Sequence, residues 1–218
     1  MKISLIIAAL NEPDCIGHVL DQVDDSVIYE VLVIDGGSTD GTQDIVRKAG
    51  YRVIPQEGKG WGSAFRTGVK IAQGDIISLV DADGSYHLTD IPRLLEVLEQ
   101  GYDIAYGSRY LPGGGSDDDT IVRWIGNKSL TFLLNLIHGV GISDSLYFLL
   151  ATRKPIVESL NLATPGFELC AEFHIKAHKA GYTFKEIPCS EKARIAGESK
   201  VNAITDGIRI LRTILKKY

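Results

Sequence analysis

Residues 75–84 read DIISLVDADG, an apolar run that ends in two aspartates separated by one residue. A short run of branched aliphatic residues without polar alternation is typical of a strand that is buried on both faces of a parallel sheet. Gly84 permits a tight turn directly after the aspartates. The stretch therefore predicts a buried strand over 75–80 whose carboxyl end presents Asp81 and Asp83.

Two other apolar runs end in polar residues in the same way. Residues 2–9 (KISLIIAA) precede Asn11 and Glu12. Residues 30–34 (EVLVI) precede Asp35. Ligands of parallel sheets bind beyond the carboxyl ends of the strands, so we expect the polar residues after these runs to share one site.

Strands that alternate with helices predict an α/β fold, with a mostly parallel central sheet and helices on both faces. No internal repeat or linker divides the chain. Further strands are expected at 51–54, 102–106 and 182–187. Helices are expected at 11–25, 42–49, 63–72, 91–100, 121–137, 165–181 and 201–217.

The composition is that of a soluble globular protein, with 44% hydrophobic and 23% charged residues among 218, which excludes a disordered chain. A net charge of −5 argues against a dedicated nucleic-acid-binding protein. Three cysteines without CxxC spacing fit a reducing compartment. No signal peptide is recognised, and residues 129–143, an uncharged stretch in the apolar middle of the chain, fall short of the ~20 residues that span a bilayer. We therefore expect a cytoplasmic chain, soluble or in peripheral contact with the cytoplasmic face of the membrane.

Charge is unevenly distributed along the chain. Residues 192–218 carry +5 and residues 1–191 carry −10. A basic tail on an acidic body predicts an anion site or contact with an anionic surface, and a solvated helix face is the alternative. In the terminal helix an apolar stripe is separated from a basic face. The stripe is Ile204, Ile208, Leu211 and Leu215, and the basic face is Arg209, Arg212 and Lys216.

The segment Asp81-Ala82-Asp83 carries the strongest chemical signal. Two carboxylates can bind Mg²⁺ or Mn²⁺ and leave other coordination positions of the ion open. Substrate phosphates would fill those positions. A turn with aspartates in capping positions is the alternative. The apolar strand in front of the pair favours the metal site.

Three loops could also bind a ligand. Residues 35–41 (DGGSTDG) offer a carboxylate and backbone N–H groups to a ribose or base, or form a turn rich in Asx contacts. Residues 58–68 (GKGWGSAFRTG) bring Lys59 and Arg66 to a helix N-terminus that attracts phosphate, or lead into an ordinary surface helix. Residues 194–200 (RIAGESK) could grip a phosphate with Arg and Lys, or form a plain basic loop.

Other nucleotide-binding and hydrolase motifs are missing. The first strand is not followed by GxGxxG, and the sequence contains neither GxxxxGK[ST] nor GxSxG. A Rossmann dinucleotide site, a P-loop ATPase and an α/β-hydrolase are therefore disfavoured.

The chain resembles the family 2 glycosyltransferases with the GT-A fold, and among them the dolichol-phosphate mannose synthases and related polyprenyl-phosphate glycosyltransferases. The segments that carry the resemblance follow in order over nearly the whole chain: LNEPDCI, VIDGGSTDGT, GKGWGSAFRTGVKIAQGDIISLVDADGSY, YGSRYLPGGG, GISD and EKARIAGESK. The resemblance implies a single GT-A domain over 1–218. Its nucleotide-sugar-binding half would be 1–110, and its acceptor-binding half, with an amphipathic C-terminal helix, would be 111–218.

The resemblance also implies a donor site for a nucleoside-diphosphate sugar, GDP-mannose or UDP-glucose. Glu12 and Asp35 would contact the nucleoside, while Asp81 and Asp83 would hold Mg²⁺ or Mn²⁺ on the diphosphate. The residues expected to bind the nucleotide sugar are Asn11, Glu12, Asp35, Gly37, Lys59, Arg66, Asp81, Ala82 and Asp83.

For the acceptor, the resemblance implies a polyprenyl or dolichyl phosphate. Arg109 and Arg123 would face its phosphate, Arg194 and Lys200 would stabilise phosphate charge, and Glu172 would lie near the sugar. Gly113–Asp119 would form the acceptor loop, and the lipid would lie near 121–137. The expected catalytic set is Asp83, Arg109, Arg123, Glu172, Arg194 and Lys200.

The expected reaction is inverting, metal-dependent transfer of mannose or glucose to the lipid phosphate. One alternative is transfer to a soluble or glycan hydroxyl, which would need a general base such as Asp144. Others are a nucleotidyltransferase and a nucleotide-sugar-binding protein without turnover of its own. The chain differs from the usual family pattern at Gly36, Ser85, Asn127 and residues 145–150.

Overall fold

Nine strands and eight α-helices follow one another in the computed structural model, which describes residues 1–218. The strands are β1 (Ile3–Ala9), β2 (Glu30–Asp35), β3 (Arg52–Pro55), β4 (Ile76–Asp81), β5 (Ile104–Ser108), β6 (Gly115–Ser116), β7 (Leu150–Arg153), β8 (Phe184–Pro188) and β9 (Ser190–Glu191). The helices are α1 (Ile16–Leu20), α2 (Thr42–Lys48), α3 (Trp61–Ile71), α4 (Ile91–Glu99), α5 (Ile121–His138), α6 (Lys154–Ser159), α7 (Leu169–Lys179) and α8 (Ala203–Ile214).

Seven strands form one sheet in the order β3-β2-β1-β4-β7-β5-β8. All neighbouring pairs are parallel except those of β7, which runs antiparallel to both β4 and β5. The prediction of a mostly parallel α/β sheet is confirmed. Strand β7 and helix α6 were not predicted, because elements of four and six residues give too little periodicity to stand out from the surrounding apolar sequence.

Successive residues of the central strands enter two separate cores, one on each face of the sheet. On β1, Ile6 packs with α3, α6 and α7, while Leu5 and Ile7 pack with α1, α2 and α4. This alternation follows from the two-residue repeat of a strand. It confirms the expectation that helices cover both faces. No helix combines the length and apolarity that crossing a membrane would need.

Three predicted helices are clearly shorter than expected, and the terminal one covers Ala203–Ile214 instead of 201–217. The helix expected from Asn11 to about residue 25 covers only Ile16–Leu20. Asn11 has a positive φ of 51° and bonds the 38–39 loop: its N–H donates to Ser38 Oγ, and its Oδ1 accepts from Thr39 N–H. It therefore joins two loops instead of capping a helix.

The helix expected from Pro165 begins only at Leu169. Residues 163–166 lie instead on the N-terminus of α3, where Ser63 N–H donates to Pro165 O at 3.0 Å. Gly60 and Gly62 permit this approach, because a Cβ there would come within 2.6 Å of Pro165 O and 2.7 Å of Thr164 O, respectively.

Candidate active site

A cavity of about 370 Å³ opens at the carboxyl ends of β4 and β5. Asp81 and Asp83 line it where β4 ends, and Arg109 lines it directly after β5. Helices α5 and α8 form the opposite wall. The position agrees with the general rule for ligand sites in open α/β sheets.

The two aspartates are held in the same way. Trp61 Nε1 donates to Asp81 Oδ1 at 2.5 Å, and the Ser85 N–H donates to Asp83 Oδ1 at 3.0 Å. No protein group donates to the Oδ2 atom of either carboxylate. Burial raises the pKa of Asp81, and the nearby charge of Asp83 raises it further, while the Trp61 hydrogen bond opposes the rise. Two close, partly desolvated carboxylates are stabilised by a cation.

This pair fits a divalent ion that also binds substrate. The structure contains no cluster of three His, Cys, Asp or Glu side chains able to hold a metal alone. Mg²⁺ commonly takes one or two protein carboxylates and completes its shell with water and substrate phosphates. The free Oδ2 atoms of Asp81 and Asp83 supply that ligand set. Ala82, between them, is buried, and its N–H donates to Ala8 O at 3.1 Å, which anchors the segment to β1.

Asp35 lies at the end of β2, and its two carboxylate oxygens differ in their hydrogen bonds. Its Oδ2 accepts from Gly37 N–H at 2.9 Å, Ser38 N–H at 3.0 Å and Gln43 Nε2 at 2.7 Å. Its Oδ1 is buried and has no partner. Gly37 has φ of 101°, a conformation that favours glycine. The loop therefore leaves one buried carboxylate oxygen without a hydrogen-bond partner.

The structure brings Glu12, Arg194 and Lys200 directly together. Arg194 Nη1 lies 2.8 Å from Glu12 Oε2, and Lys200 Nζ donates to Glu12 Oε1. Arg194 Nε is buried without a partner, and Ile195 N–H donates to Asp83 O at 3.1 Å. The basic 194–200 segment therefore lies over the strand ends, beside the aspartate pair.

Arg109 is surrounded by carboxylates. Its Nε donates to Asp144 Oδ2 at 2.7 Å, its Nη2 donates to Asp144 Oδ1 at 3.0 Å, and its Nη1 donates to Glu191 Oε2 at 2.9 Å. Burial alone would lower the pKa of Arg109, but the bonds and charge of Asp144 hold it above its usual range. Asp144 is fully buried, so the alternative that it acts as a base on a hydroxyl acceptor does not fit its position.

Arg123 extends from α5 into the cavity wall and pairs with Asp118. Its side chain is 35% exposed, so it is more accessible than Arg109. Asn127, one turn later, approaches Asp119 at 3.5 Å. The pairing of β6 with β9 fixes the predicted acceptor loop, Gly113–Asp119, beside Glu191.

Nine predicted residues lie outside the cavity lining: Asn11, Glu12, Asp35, Gly37, Lys59, Arg66, Ala82, Glu172 and Lys200. Glu172 is buried behind the 163–167 loop, where it accepts from Thr164 N–H at 2.8 Å and pairs with Lys176 at 2.7 Å. Arg66 donates to Thr164 O at 3.0 Å. Lys59 is exposed and makes no side-chain hydrogen bond or ion pair within the protein. Their roles toward sugar and phosphate stay predictions.

Sequence reasoning did not assign roles to the aromatic residues of the cavity. Trp61 stacks on Phe167 with ring centres 5.2 Å apart, and its ring meets Phe148 edge-on at 5.5 Å. All three side chains line the cavity. The tryptophan was visible in GKGWG, but nothing in the sequence placed it against Asp81.

Helices α5 and α8, which form one wall of the cavity, expose nine large apolar side chains. We call this surface the α5/α8 apolar face. Its members are Ile121, Val122, Trp124, Ile125, Phe132, Leu136, Ile137, Ile204 and Ile208. Exposed apolar surface of this extent is typical of a protein, ligand or membrane contact.

Known proteins match the chain over most of its length. The family model described as "Glycosyl transferase family 2" matches residues 4–160. A dolichyl-phosphate hexose transferase from Haloferax volcanii is 30% identical over 98% of this chain and 92% of its own length. The hexosyltransferase Agl6 from the same organism is 31% identical, but this chain spans only 53% of it.

A dolichol-phosphate mannosyltransferase from Pyrococcus furiosus is 32% identical over 94% of this chain and 60% of its own length. Among solved structures, glucosyl-3-phosphoglycerate synthase from Mycobacterium tuberculosis, with Mn²⁺ and UDP, superposes with a TM-score of 0.79. It is 21% identical, and the match covers 98% of this chain and 78% of that one, so the likeness concerns the fold.

Proposed function

Because the chain belongs to glycosyl transferase family 2 and has the GT-A fold, we propose that it transfers a hexose from a nucleoside-diphosphate sugar to a polyprenyl or dolichyl phosphate. One observation carries this proposal. A single cavity has an aspartate pair suited to a metal at one wall and the α5/α8 apolar face beside the other. A charged donor and a lipid acceptor could meet there. The relatives named as dolichyl-phosphate hexose and dolichol-phosphate mannosyl transferases support this substrate class.

On the donor side, residues 1–110 would bind the nucleotide sugar. The unpaired Oδ1 of Asp35 would accept a hydrogen bond from the nucleoside. Mg²⁺ or Mn²⁺, held by Asp81 and Asp83, would neutralise charge on the departing diphosphate. Arg194, whose Nε lacks a partner within the protein, would add a further charge-assisted bond. The donor would be GDP-mannose or UDP-glucose, and the Mn²⁺ and UDP in the Mycobacterium tuberculosis structure support the nucleoside-diphosphate class.

On the acceptor side, residues 111–218 would bind the lipid phosphate. A phosphate monoester is already ionised near pH 7, so it needs positioning more than it needs a general base. Arg123 would supply that charge at the cavity wall, next to Arg109. The buried, fully engaged Asp144 favours this reading over transfer to a hydroxyl. Direct attack by the phosphate on the sugar would invert the anomeric centre.

The lipid chain would leave the cavity along the α5/α8 apolar face. Arg209, Arg212 and Lys216 of the C-terminal region lie near this face in the chain and would contact anionic headgroups. We propose peripheral contact of this face with the membrane in which the acceptor resides.

Incubation with labelled GDP-mannose or UDP-glucose, Mn²⁺ and a short-chain polyprenyl phosphate tests the proposal. The expected product is a labelled lipid phosphate that partitions into organic solvent. Asp83→Ala should abolish transfer, whereas Asp25→Ala, at an exposed aspartate between α1 and β2 outside the cavity lining, should not. Transfer to a soluble hydroxyl acceptor with none to lipid phosphate would contradict it.

A further inference from the structure

Resting on the proposed function, we propose that Trp61 is a positioning residue for the metal site. Its indole N–H fixes the Asp81 carboxylate and leaves Oδ2 as the oxygen available to the divalent cation. Trp61 Nε1 lies 2.5 Å from Asp81 Oδ1. This bond joins the first residue of α3 to the last residue of β4.

The chemistry of the donor suits this role. An indole N–H is a donor only and carries no charge. It can orient a carboxylate without neutralising it, whereas an arginine or lysine in the same place would compete with the cation for the negative charge. The backbone N–H of Ser85, equally neutral, holds Asp83 Oδ1 in the same way. Both carboxylates are thus aimed by neutral donors and both keep Oδ2 free.

The indole itself is held on two sides. Phe167 stacks against its face with an interplanar angle of 22°, and Phe148 meets its edge at 76°. Phe167 belongs to the loop that lies on the N-terminus of α3, which Glu172 fixes by accepting from Ala163 N–H at 3.1 Å and Thr164 N–H at 2.8 Å. Glu172 therefore acts on the aspartate pair through Phe167 and Trp61, although it does not line the cavity.

If Trp61 served only for packing, any aromatic ring could replace it. Trp61→Phe keeps an aromatic ring between Phe148 and Phe167 but removes the donor to Asp81. Phe167→Leu weakens the stacking but keeps the donor. The two variants therefore separate orientation of the carboxylate from packing of the loop.

The test is a titration of Mn²⁺, alone and with UDP or GDP, followed by the electron paramagnetic resonance signal of free Mn²⁺. Loss of a hydrogen bond to a metal-binding side chain typically weakens metal binding about 10–100-fold, and this range is expected for Trp61→Phe. Phe167→Leu loosens the indole but keeps the donor, so it should weaken Mn²⁺ binding by less than Trp61→Phe does, even where its melting temperature falls as far. Asp81→Asn serves as the reference for loss of a ligand.

Fluorescence supplies a second test, of whether the metal binds beside Trp61. The chain has two tryptophans, so Trp124→Phe leaves Trp61 as the sole emitter. Mn²⁺ should quench that emission, and diamagnetic Mg²⁺ at saturation should not.

Unchanged Mn²⁺ affinity in Trp61→Phe, or no quenching by bound Mn²⁺, would overturn the positioning role and leave the proposed transfer reaction untouched. Tight Mn²⁺ binding without any transfer to a lipid phosphate would instead count against the proposed function alone. A parent chain that binds no Mn²⁺ with either nucleotide would end both.

Discussion

Glu12 accepts three hydrogen bonds from Arg194, which follows it 182 residues later in the chain. Nη1 lies 2.8 Å from Oε2 and 3.0 Å from Oε1, and Nη2 donates to Oε1. The side chains are only 8% and 13% exposed. This contact closes the C-terminal basic segment over the ends of the strands. In the proposed function, the same guanidinium would also face the donor diphosphate, so Glu12 sets its position before the donor arrives.

Glu12→Gln should lower both stability and donor affinity. It removes a charged acceptor from two partly buried cations, and hydrogen bonds to charged groups contribute about 2 kcal/mol. We expect a loss of that size in urea unfolding, together with a higher KM for the nucleotide sugar. The matched control is Asp44→Asn, which breaks the exposed pair with Arg47 and should cost less than about 1 kcal/mol. Equal losses in the two variants would contradict the role given to Glu12.

Arg109 is a single base among several carboxylates. Removing it by Arg109→Met leaves Asp144 buried without its partner, which typically costs about 3–5 kcal/mol. Arg109→Met with Asp144→Asn removes both charges and should regain much of that stability in urea unfolding. If Arg109 also holds the acceptor phosphate, the restored double variant should still transfer poorly. Restored stability together with full transfer would assign Arg109 a purely structural role.

His174 makes folding sensitive to acid. Neither of its ring nitrogens has a hydrogen-bond partner, and it is surrounded by Tyr106, Phe148 and Phe173. Burial lowers the pKa of His174 from 6.5 to about 4, against the opposing charge of Asp144. The unfolded chain therefore takes up a proton first as the pH falls.

Stability from this group is complete above about pH 6.5, falls progressively below it and levels off below about pH 4. The total loss is about 3 kcal/mol. His174→Leu should flatten this part of the stability profile in urea unfolding measured between pH 7 and pH 4. A profile as steep as that of the parent chain would mean that carboxylates, not His174, dominate acid unfolding.

Sequence reasoning reached the central strands because a strand buried on both faces leaves an unmistakable apolar run, as in Ile3–Ala9 and Ile76–Asp81. It placed Asp81 and Asp83 at one edge because strand ends in a parallel sheet converge. It could not find β7, whose only signal is its pairing between β4 and β5. Nor could it find the bond from Trp61 to Asp81, because contacts between distant segments depend on how α3 packs.

The ion pairs of the site could not be predicted from the sequence either. Glu12 and Arg194 each fitted a ligand-binding role, and nothing in their local motifs indicated that they bind one another. The same holds for Arg109, whose acidic partners Asp144 and Glu191 come from distant segments of the chain. Sequence motifs therefore located the site, while the balance of charges within it depended on tertiary structure.

The α5/α8 apolar face should decide which acceptors the protein can use. Phe132 and Leu136 are 66% and 68% exposed and lie one turn apart on α5. Replacing both with serine removes apolar area that would otherwise enter the membrane interface, and we expect roughly 10–100-fold weaker binding to phosphatidylserine-containing vesicles. The rate of transfer to a long-chain polyprenyl phosphate in those vesicles should fall by a similar factor.

Transfer to a short, water-soluble polyprenyl phosphate should change little, because the aspartate pair and Arg123 are intact. Tyr29→Ser is the matched control, since Tyr29 is 49% exposed just before the start of β2, at the opposite end of the strand from Asp35. It should leave vesicle binding and both transfer reactions as they were. If the double serine variant binds vesicles like the parent chain, membrane contact by this face is wrong. If it loses transfer to both acceptors equally, the face serves the cavity and not the membrane.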